Sequence, residues 1–372
     1  MKIKVLETIR QGQIGGGESH LLSLVENLNK EIYEPIVLSF TEGPMVEKLK
    51  NMGIKAEVIY TETPFDVRVW GKVLTFIKEN NIQLVHAHGT RANSNVFWAT
   101  KKLNLPLVYT VHGWSFHDDQ NFLVKNFRLY GEKLLTHKSN VNICVAESNK
   151  ATGLQYLPHL KARVINNGIN LKKFNPNNSF SNVREELGVK EDEILILFLA
   201  RFTHQKQPLK LIHAFEKAWT QNNNLKLLLV GDGEQKDEAL ELVKTLQCKN
   251  HIIFQTYRQD VPDVLAAADV FVLPSLWEGL PIGLLEAMAM KKAIIASKVD
   301  GTKEVIENQV NGLLFELENS SHQLPELIMQ LSNNSELRNQ LGSKAFETIS
   351  THYSADTMTR EVEKIYHELL NK

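Results

Sequence analysis

The chain has 372 residues, 43% hydrophobic and 23% charged, a globular composition with room for about two domains. Lys and Arg number 42 against 43 Asp and Glu, a formal net charge of -1, which argues against a global basic field for nucleic acid and against an acidic disordered tail. Cys144 and Cys248 are too few for a disulfide framework or a thiolate zinc site and fit a reducing compartment. The longest apolar runs, such as 194–200, are one strand long, well short of the roughly 20 residues that span a bilayer. Residues 1–7 alternate charge with apolar side chains instead of forming a hydrophobic signal core, so the expected location is cytoplasmic.

Short aliphatic runs alternate with amphipathic stretches of helical length, the pattern of parallel strands covered by helices on both faces, so the fold class is α/β. In the first half, strands are predicted over 2–8, 35–40, 56–60, 84–87, 107–111, 141–145 and 163–165. After the first comes Gly15-Gly16-Gly17-Glu18-Ser19, a glycine turn opening a helix whose amides suit a phosphate or a sugar oxygen. It is neither a GxGxxG nor a Walker loop, which disfavours P-loop ATP binding. Val111-His112-Gly113-Trp114 ends another strand and places His112 at the crevice edge. His86 with His88, or His112 with His117-Asp118-Asp119, are conceivable metal ligands, but the chain has no Asp-x-Asp triplet to chelate an ion on a diphosphate, and the expected metal content is none. Trp114, Phe116, Phe122, Leu123, Phe127 and Tyr130 lie among Lys125, Arg128, Lys133 and Lys138, a mixture that suits either a membrane interface or a core helix with solvated basic residues.

The polar stretch Asn175-Pro176-Asn177-Asn178-Ser179 is the linker candidate, giving domains over 1–178 and 179–353 and a terminal helix over 354–372. Residues 1–180 carry 22 basic against 15 acidic side chains, +7, and the remainder 20 against 28, -8, so the first domain either suits an anionic surface or acceptor or spreads its basic residues over a solvated surface. The second half predicts strands over 194–199, 226–230, 252–254, 270–273, 293–296 and 312–315. The first runs into Arg201 and Lys206, two cations at a strand's C-terminal end that can reach one diphosphate. The second ends in Gly231-Asp232-Gly233, a weak signal alone. The sharpest motif is Pro274 to Ala289, in which Glu278 and Glu286 lie eight apart across a helix start, with Gly279 at a turn and Pro281 in the first helical turn. Amides at such a start favour an anion. The last stretch spaces Met358, Val362, Ile365 and Leu369 as an amphipathic helix.

Taken together these motifs resemble retaining glycosyltransferases of family 4, which have the GT-B fold. The resemblance covers nearly the whole chain: Gly15-Gly16, His86-Ala87-His88, Val111-His112-Gly113, Asn166-Asn167-Gly168, Arg201 with Lys206, Val230 to Gly233, Ala267 to Ser275, and the Glu278-to-Glu286 spacing. It implies two Rossmann-like domains facing across a cleft and a final helix crossing back to the first. The second domain would hold the nucleotide-diphosphate sugar, most commonly UDP-linked, and the first the acceptor. Arg201 and Lys206 would bind the diphosphate, Glu286 the ribose, Glu278 with Gly279, Leu280 and Pro281 the donor sugar, and His112 the sugar near the reacting centre. Gly15, Gly16, Gly17, Asn167, Gly168, Gly231 and Gly233 complete the expected donor site. No cofactor and no metal is expected beyond the co-substrate. Expected partners are the donor, a glycan, lipid-linked or polyol acceptor and an anionic membrane surface, with no nucleic acid. The chain departs from the family pattern at Ala200 and Gln207, where glycines are usual, and at Lys291-Lys292-Ala293 in place of Gly-x-Pro.

The chemistry implied is loss of a nucleoside diphosphate from an anomeric carbon, with negative charge growing on the leaving phosphate; fixed cations and amide dipoles stabilise that state more than the ground state. No protein nucleophile is evident, and the family's front-face mechanism would let the leaving phosphate deprotonate the acceptor. The alternatives are a catalytically silent nucleotide-sugar scaffold, or another GT-B enzyme such as a phosphorylase or an epimerase.

Overall fold

The structure is a computed structural model that describes residues 2–12, 15–116 and 120–371. The chain forms two compact units, residues 1–168 with 355–372, and residues 169–354. In the first unit the strands are β1 (Ile3–Ile9), β2 (Tyr33–Ser39), β3 (Lys55–Val58), β4 (Leu84–His88), β5 (Leu107–Val111), β6 (Val141–Cys144) and β7 (Ala162–Val164). They form one sheet in the order β3-β2-β1-β4-β5-β6-β7, every pair parallel. In the second unit β8 (Ile194–Leu199), β9 (Leu225–Val230), β10 (Ile252–Gln255), β11 (Val270–Leu273), β12 (Ala293–Ser297) and β13 (Leu313–Phe315) are ordered β10-β9-β8-β11-β12-β13, again all parallel. Each order reverses beside its unit's first strand, between β1 and β4 and between β8 and β11. A doubly wound sheet opens its ligand crevice there, outside the carboxyl ends of the strands.

The central strands form where expected because their runs are aliphatic on both faces, as a parallel sheet buried under helices requires, whereas the edge strands β3 and β7 are short and partly exposed. Leu6, Ile36, Leu38 and Val85 pack into one core of the first unit, while Val5, Leu84 and Val108 enter another that the C-terminal helix Ala355–Leu370 seals with Met358, Val362, Ile365 and Tyr366. That helix therefore belongs to the first unit. In the second unit Ile196, Phe198, Leu227, Leu229 and Val272 share a core with Leu211 and Phe215 of the helix Pro208–Trp219.

The division falls between 168 and 169, ten residues before the expected boundary between 178 and 179. The amide of Ile169 donates to the Tyr353 carbonyl at 2.8 Å, tying both ends of the second unit together. The asparagines of the polar stretch turn it locally instead of loosening it. The Asn177 amide donates to the Asn175 side chain at 2.9 Å, Asn178 Nδ2 donates to the Lys172 carbonyl at 2.9 Å, and Phe174 beside them is buried. Composition alone does not separate such Asx turns from a flexible linker.

Because Ile365 is buried against β1, β4 and β5 residues, Ile365→Ala is expected to destabilise the first unit by about 2–5 kcal/mol. Thermal unfolding should show the first unit's transition lowered and the second unit's unchanged.

Candidate functional site

In the second unit two loops meet at the switch point. The loop after β8 carries Arg201 and Lys206, and the loop after β11 carries Glu278. Gln205 stitches them: its side chain donates to the Trp277 carbonyl at 2.7 Å, and the Leu276 amide donates to the Gln205 carbonyl at 2.8 Å. Lys206 Nζ forms an ion pair with Glu278 Oε1, with side-chain exposures of only 15% and 6%. Glu278 lies in the loop, and only Glu286, half-buried, lies on the helix Ile282–Ala289. Pro281 precedes this helix instead of lying in its first turn; its carbonyl accepts from Leu284 at 3.1 Å and Leu285 at 3.2 Å. The amides of Ile282 and Gly283 come too early in the helix to have an intrahelical acceptor, so a partial positive charge sits at the helix start that follows the Glu278 loop.

Glycines shape the surrounding backbone. Gly231 (φ +144°) and Gly233 (φ +150°) adopt conformations that side chains rarely tolerate, and a Cβ on either would lie 2.1 Å from the Ala200 carbonyl oxygen or 2.4 Å from that of Phe202. Their amides already donate, to the Gln255 carbonyl at 3.1 Å and the Asp232 side chain at 2.8 Å. They hold the exposed Arg201 by letting the strand-end loops touch. Gly301, which the sequence reading missed, does the same for Glu278. Its Cβ would lie 1.4 Å from the Gly279 carbonyl oxygen, and its amide donates to the Glu278 carbonyl at 3.3 Å. The available signal was a glycine in the first turn of a helix that follows β12.

In the first unit the crevice end of β1, β4 and β5 holds an imidazole cluster. Glu7 sits on β1 with no exposure. Its Oε1 accepts from Tyr366 Oη at 2.7 Å and its Oε2 lies 2.9 Å from His88 Nε2. His88 Nδ1 lies 3.2 Å from His112 Nε2, and His86 bonds Tyr366 Oη at 2.6 Å and Thr110 Oγ1 at 2.7 Å. His20 Nδ1 lies 2.9 Å from Asn167 Oδ1, while its Nε2 is buried without a hydrogen-bond partner. Burial first, then the charge of His88, pushes His20 down to about 3. Burial, with neighbouring imidazoles adding to it, holds His86 and His112 well below the ordinary histidine value, so these three rings are neutral at pH 7. Burial and then the Glu7 charge push Tyr366 well above the ordinary phenol value, so it remains a donor.

The expected residues thus fall into two groups. Arg201, Lys206, Glu278, Gly279, Leu280, Pro281, Glu286, Gly231 and Gly233 surround the second unit's switch point, and Gly15, Gly16, Gly17 and His112 that of the first. Gly15 precedes the helix Gly16–Asn27, and a Cβ on Gly17 would lie 3.3 Å from the His112 ring. Asn167, expected at the donor, orients His20 in the first unit, and Gly168 ends that unit. His20, His88 and His112 bring ligand atoms within 4.8 Å of one another, as do Glu7, His86 and His88. Yet both nitrogens of His86 and His88 are engaged in hydrogen bonds, while His20 Nε2 is buried without a hydrogen-bond partner. His117, Asp118 and Asp119 lie outside the described residues. Gly301→Ala is expected to destabilise the second unit by about 1–3 kcal/mol through overpacking, whereas exposed Lys303→Ala should stay within about 0.5 kcal/mol by denaturant unfolding.

Two family descriptions match the chain, "Glycosyltransferase Family 4" over residues 14–173 and "Glycosyl transferases group 1" over residues 179–348. The chain is 30% identical over 297 residues to an uncharacterized glycosyltransferase of Methanocaldococcus jannaschii, covering 79% of this chain and 77% of that one. It is 27% identical over 336 residues to the UDP-Gal:alpha-D-GlcNAc-diphosphoundecaprenol alpha-1,3-galactosyltransferase of Escherichia coli, covering 85% and 84%. Among solved structures it resembles Anabaena HepE in complex with UDP and glucose, with a TM-score of 0.87, 22% identity and coverage of 98% and 100%. With two parallel Rossmann-like sheets and these matches, the chain has the GT-B fold and belongs to glycosyltransferase family 4.

Proposed function

We propose that this glycosyltransferase is a retaining, metal-independent enzyme that moves a hexosyl or N-acetylhexosaminyl group from a UDP-sugar to a lipid-linked glycan in cell-surface polysaccharide or glycolipid synthesis. The observation that carries the reading is the Lys206–Glu278 ion pair beside a helix start at the second unit's switch point. There the ammonium, Arg201 and the helix amides would receive the donor diphosphate, and Glu286 the ribose. Glu278, released from Lys206 by the phosphate charge, would turn to hydroxyls of the transferred sugar, with His112 as a further contact. In the transfer the anomeric carbon–phosphate bond breaks with its electron pair on the phosphate oxygen, the acceptor oxygen bonds to that carbon, and the acceptor proton passes to the departing phosphate. Preorganised cations and dipoles lower this barrier without a protein nucleophile. The Escherichia coli relative's diphosphoundecaprenol acceptor supports the lipid-linked choice.

An acceptor embedded in a membrane calls for a docking face, and the helix Phe122–Lys138 offers one. Phe122, Leu123, Phe127 and Tyr130 are 77%, 75%, 73% and 70% exposed, beside Arg128 and Lys133, while the helix is held from below by buried Leu135 and Glu132. Trp114 and Phe116, grouped with them from sequence, are buried at 5% and 2% exposure and belong to the core under that helix. Among the described residues no helix is long and apolar enough to cross a membrane. The face therefore fits a peripheral enzyme on an anionic, cytoplasmic membrane surface.

With a UDP-sugar panel and a polyprenyl-diphosphate glycan acceptor, Lys206→Ala and Glu286→Ala should each lower turnover about 100-fold or more, and the product should keep the donor's anomeric configuration by proton NMR. Wild-type rates in both variants would defeat the site, and an inverted product the mechanism. In a flotation assay with anionic vesicles the wild-type chain should float and Phe122→Ser combined with Phe127→Ser should remain in the soluble fraction.

A further inference from the structure

We infer that the cleft at the amino ends of β5, β6 and β7 binds a phosphomonoester, whose phosphate meets Lys150, Lys161 and Arg163 and whose carbon body lies along Leu154. The site lies within the first unit and does not depend on the proposed function.

The cleft encloses about 760 Å³, the size of a small-molecule site. It is lined by the segments that lead into the three strands, with 104–106 before β5, Asn140 before β6 and Lys161 before β7. It therefore opens at the end of the sheet opposite the imidazole cluster, which stands at the carboxyl ends of β1, β4 and β5. Lys150 and Leu154 lie one helical turn apart on the helix Glu147–Tyr156, and both line the cleft. Lys150 is half-buried, and among the described residues neither its ammonium nor that of Lys161 has a carboxylate partner or a hydrogen-bond acceptor. Asn140 Oδ1 accepts from the Leu107 amide at 2.8 Å, which leaves its Nδ2 as a donor without an acceptor among the described residues.

Arg163 is the one cation of the cleft that is paired. Its Nη1 and Nη2 donate to the two carboxylate oxygens of Glu368 at 3.0 and 2.6 Å, with side-chain exposures of 50% and 47%. Glu368 is a weak permanent partner. It stands in the last turn of the helix Ala355–Leu370, where the macrodipole disfavours an anion, and a pair this exposed is only slightly stabilising. Its carboxylate marks where a ligand's anion would sit, because a guanidinium fork takes two oxygens of a phosphate as it takes those of a carboxylate. The described lining sets Lys150, Lys161 and Arg163 against Glu368 alone, an excess of positive charge. A phosphomonoester brings about 1.5 to 2 negative charges at pH 7 and three acceptor oxygens, enough to engage the fork and both ammoniums. Leu154, 39% exposed, and Leu369 give its carbon body an apolar wall.

Calorimetric titration of the full chain with glycerol 3-phosphate tests the site. The wild type should bind it, and Lys150→Ala combined with Lys161→Ala should weaken binding at least about tenfold, the scale of one charge-assisted hydrogen bond. Glu368→Gln, which removes the competing charge, should tighten binding about two- to fivefold, the scale of an exposed ion pair. Lys206→Ala, altered in the second unit, should bind as the wild type does. A lipid source is read by floating the chain that carries Phe122→Ser and Phe127→Ser with phosphatidate vesicles. Flotation abolished by Lys150→Ala with Lys161→Ala assigns the site to that headgroup, and calorimetric binding without flotation assigns it to soluble phosphomonoesters. Binding of neither probe overturns the inference, as does wild-type affinity after loss of both lysines, weaker binding in Glu368→Gln, or loss of binding in Lys206→Ala.

Discussion

The switch point of the second unit is organised around a partly desolvated ion pair. Lys206 and Glu278 come from loops on adjacent strands and neutralise one another at low exposure. Two charges so placed lose much of their hydration, and the pair recovers that cost only while it is intact. Removing one partner alone is expensive, but exchanging the carboxylate for a diphosphate oxygen keeps the ammonium paired and frees Glu278 for a neutral group. The resting pair is therefore compatible with binding both halves of a nucleotide sugar, and the amides at the start of the helix Ile282–Ala289 favour the exchange.

That exchange needs loops held in place before a ligand arrives, and backbone contacts provide the restraint. Gly231 and Gly233 bring one turn against the Arg201 loop, Gly301 lies against the Gly279 carbonyl, and Gln205 binds the two loops together. The chain's departures from the family pattern are informative here. Gln207 and Lys291 replace expected glycines, and both adopt left-handed conformations at φ +55° and +56°. Side chains at such positions cost about 1–2 kcal/mol, a strain the surrounding packing sustains while preserving the loop paths.

The thirteen strands among the described residues were legible from sequence, the central ones because a parallel sheet buried on both faces writes its strands as aliphatic runs. The terminal helix was legible for the same reason, its apolar stripe at helical spacing. The cations and glutamates at the second switch point were legible because strand ends and a helix start dictate what can stand there. What stayed hidden depends on partners distant in sequence. Glu7 was an unremarked charge inside an apolar strand, and Tyr366 one more position on an apolar helix face, until 359 residues of separation closed into a single hydrogen bond. Asn167 was carried over as a donor contact, yet its side chain meets His20. The asparagine-rich run after residue 174 reads as a linker but folds on itself, and Trp114 and Phe116 sit under the aromatic face they seemed to join.

Calorimetric titration of the wild-type chain and Glu278→Gln with UDP and with its UDP-sugar separates the two halves of this account. If phosphate displaces Glu278 from Lys206 and the freed carboxylate then grips the sugar, Glu278→Gln will bind UDP at least as tightly as the wild type and the UDP-sugar more weakly. Loss of affinity for UDP itself in Glu278→Gln would mean that the carboxylate supports the diphosphate instead of yielding to it, and the exchange would be contradicted.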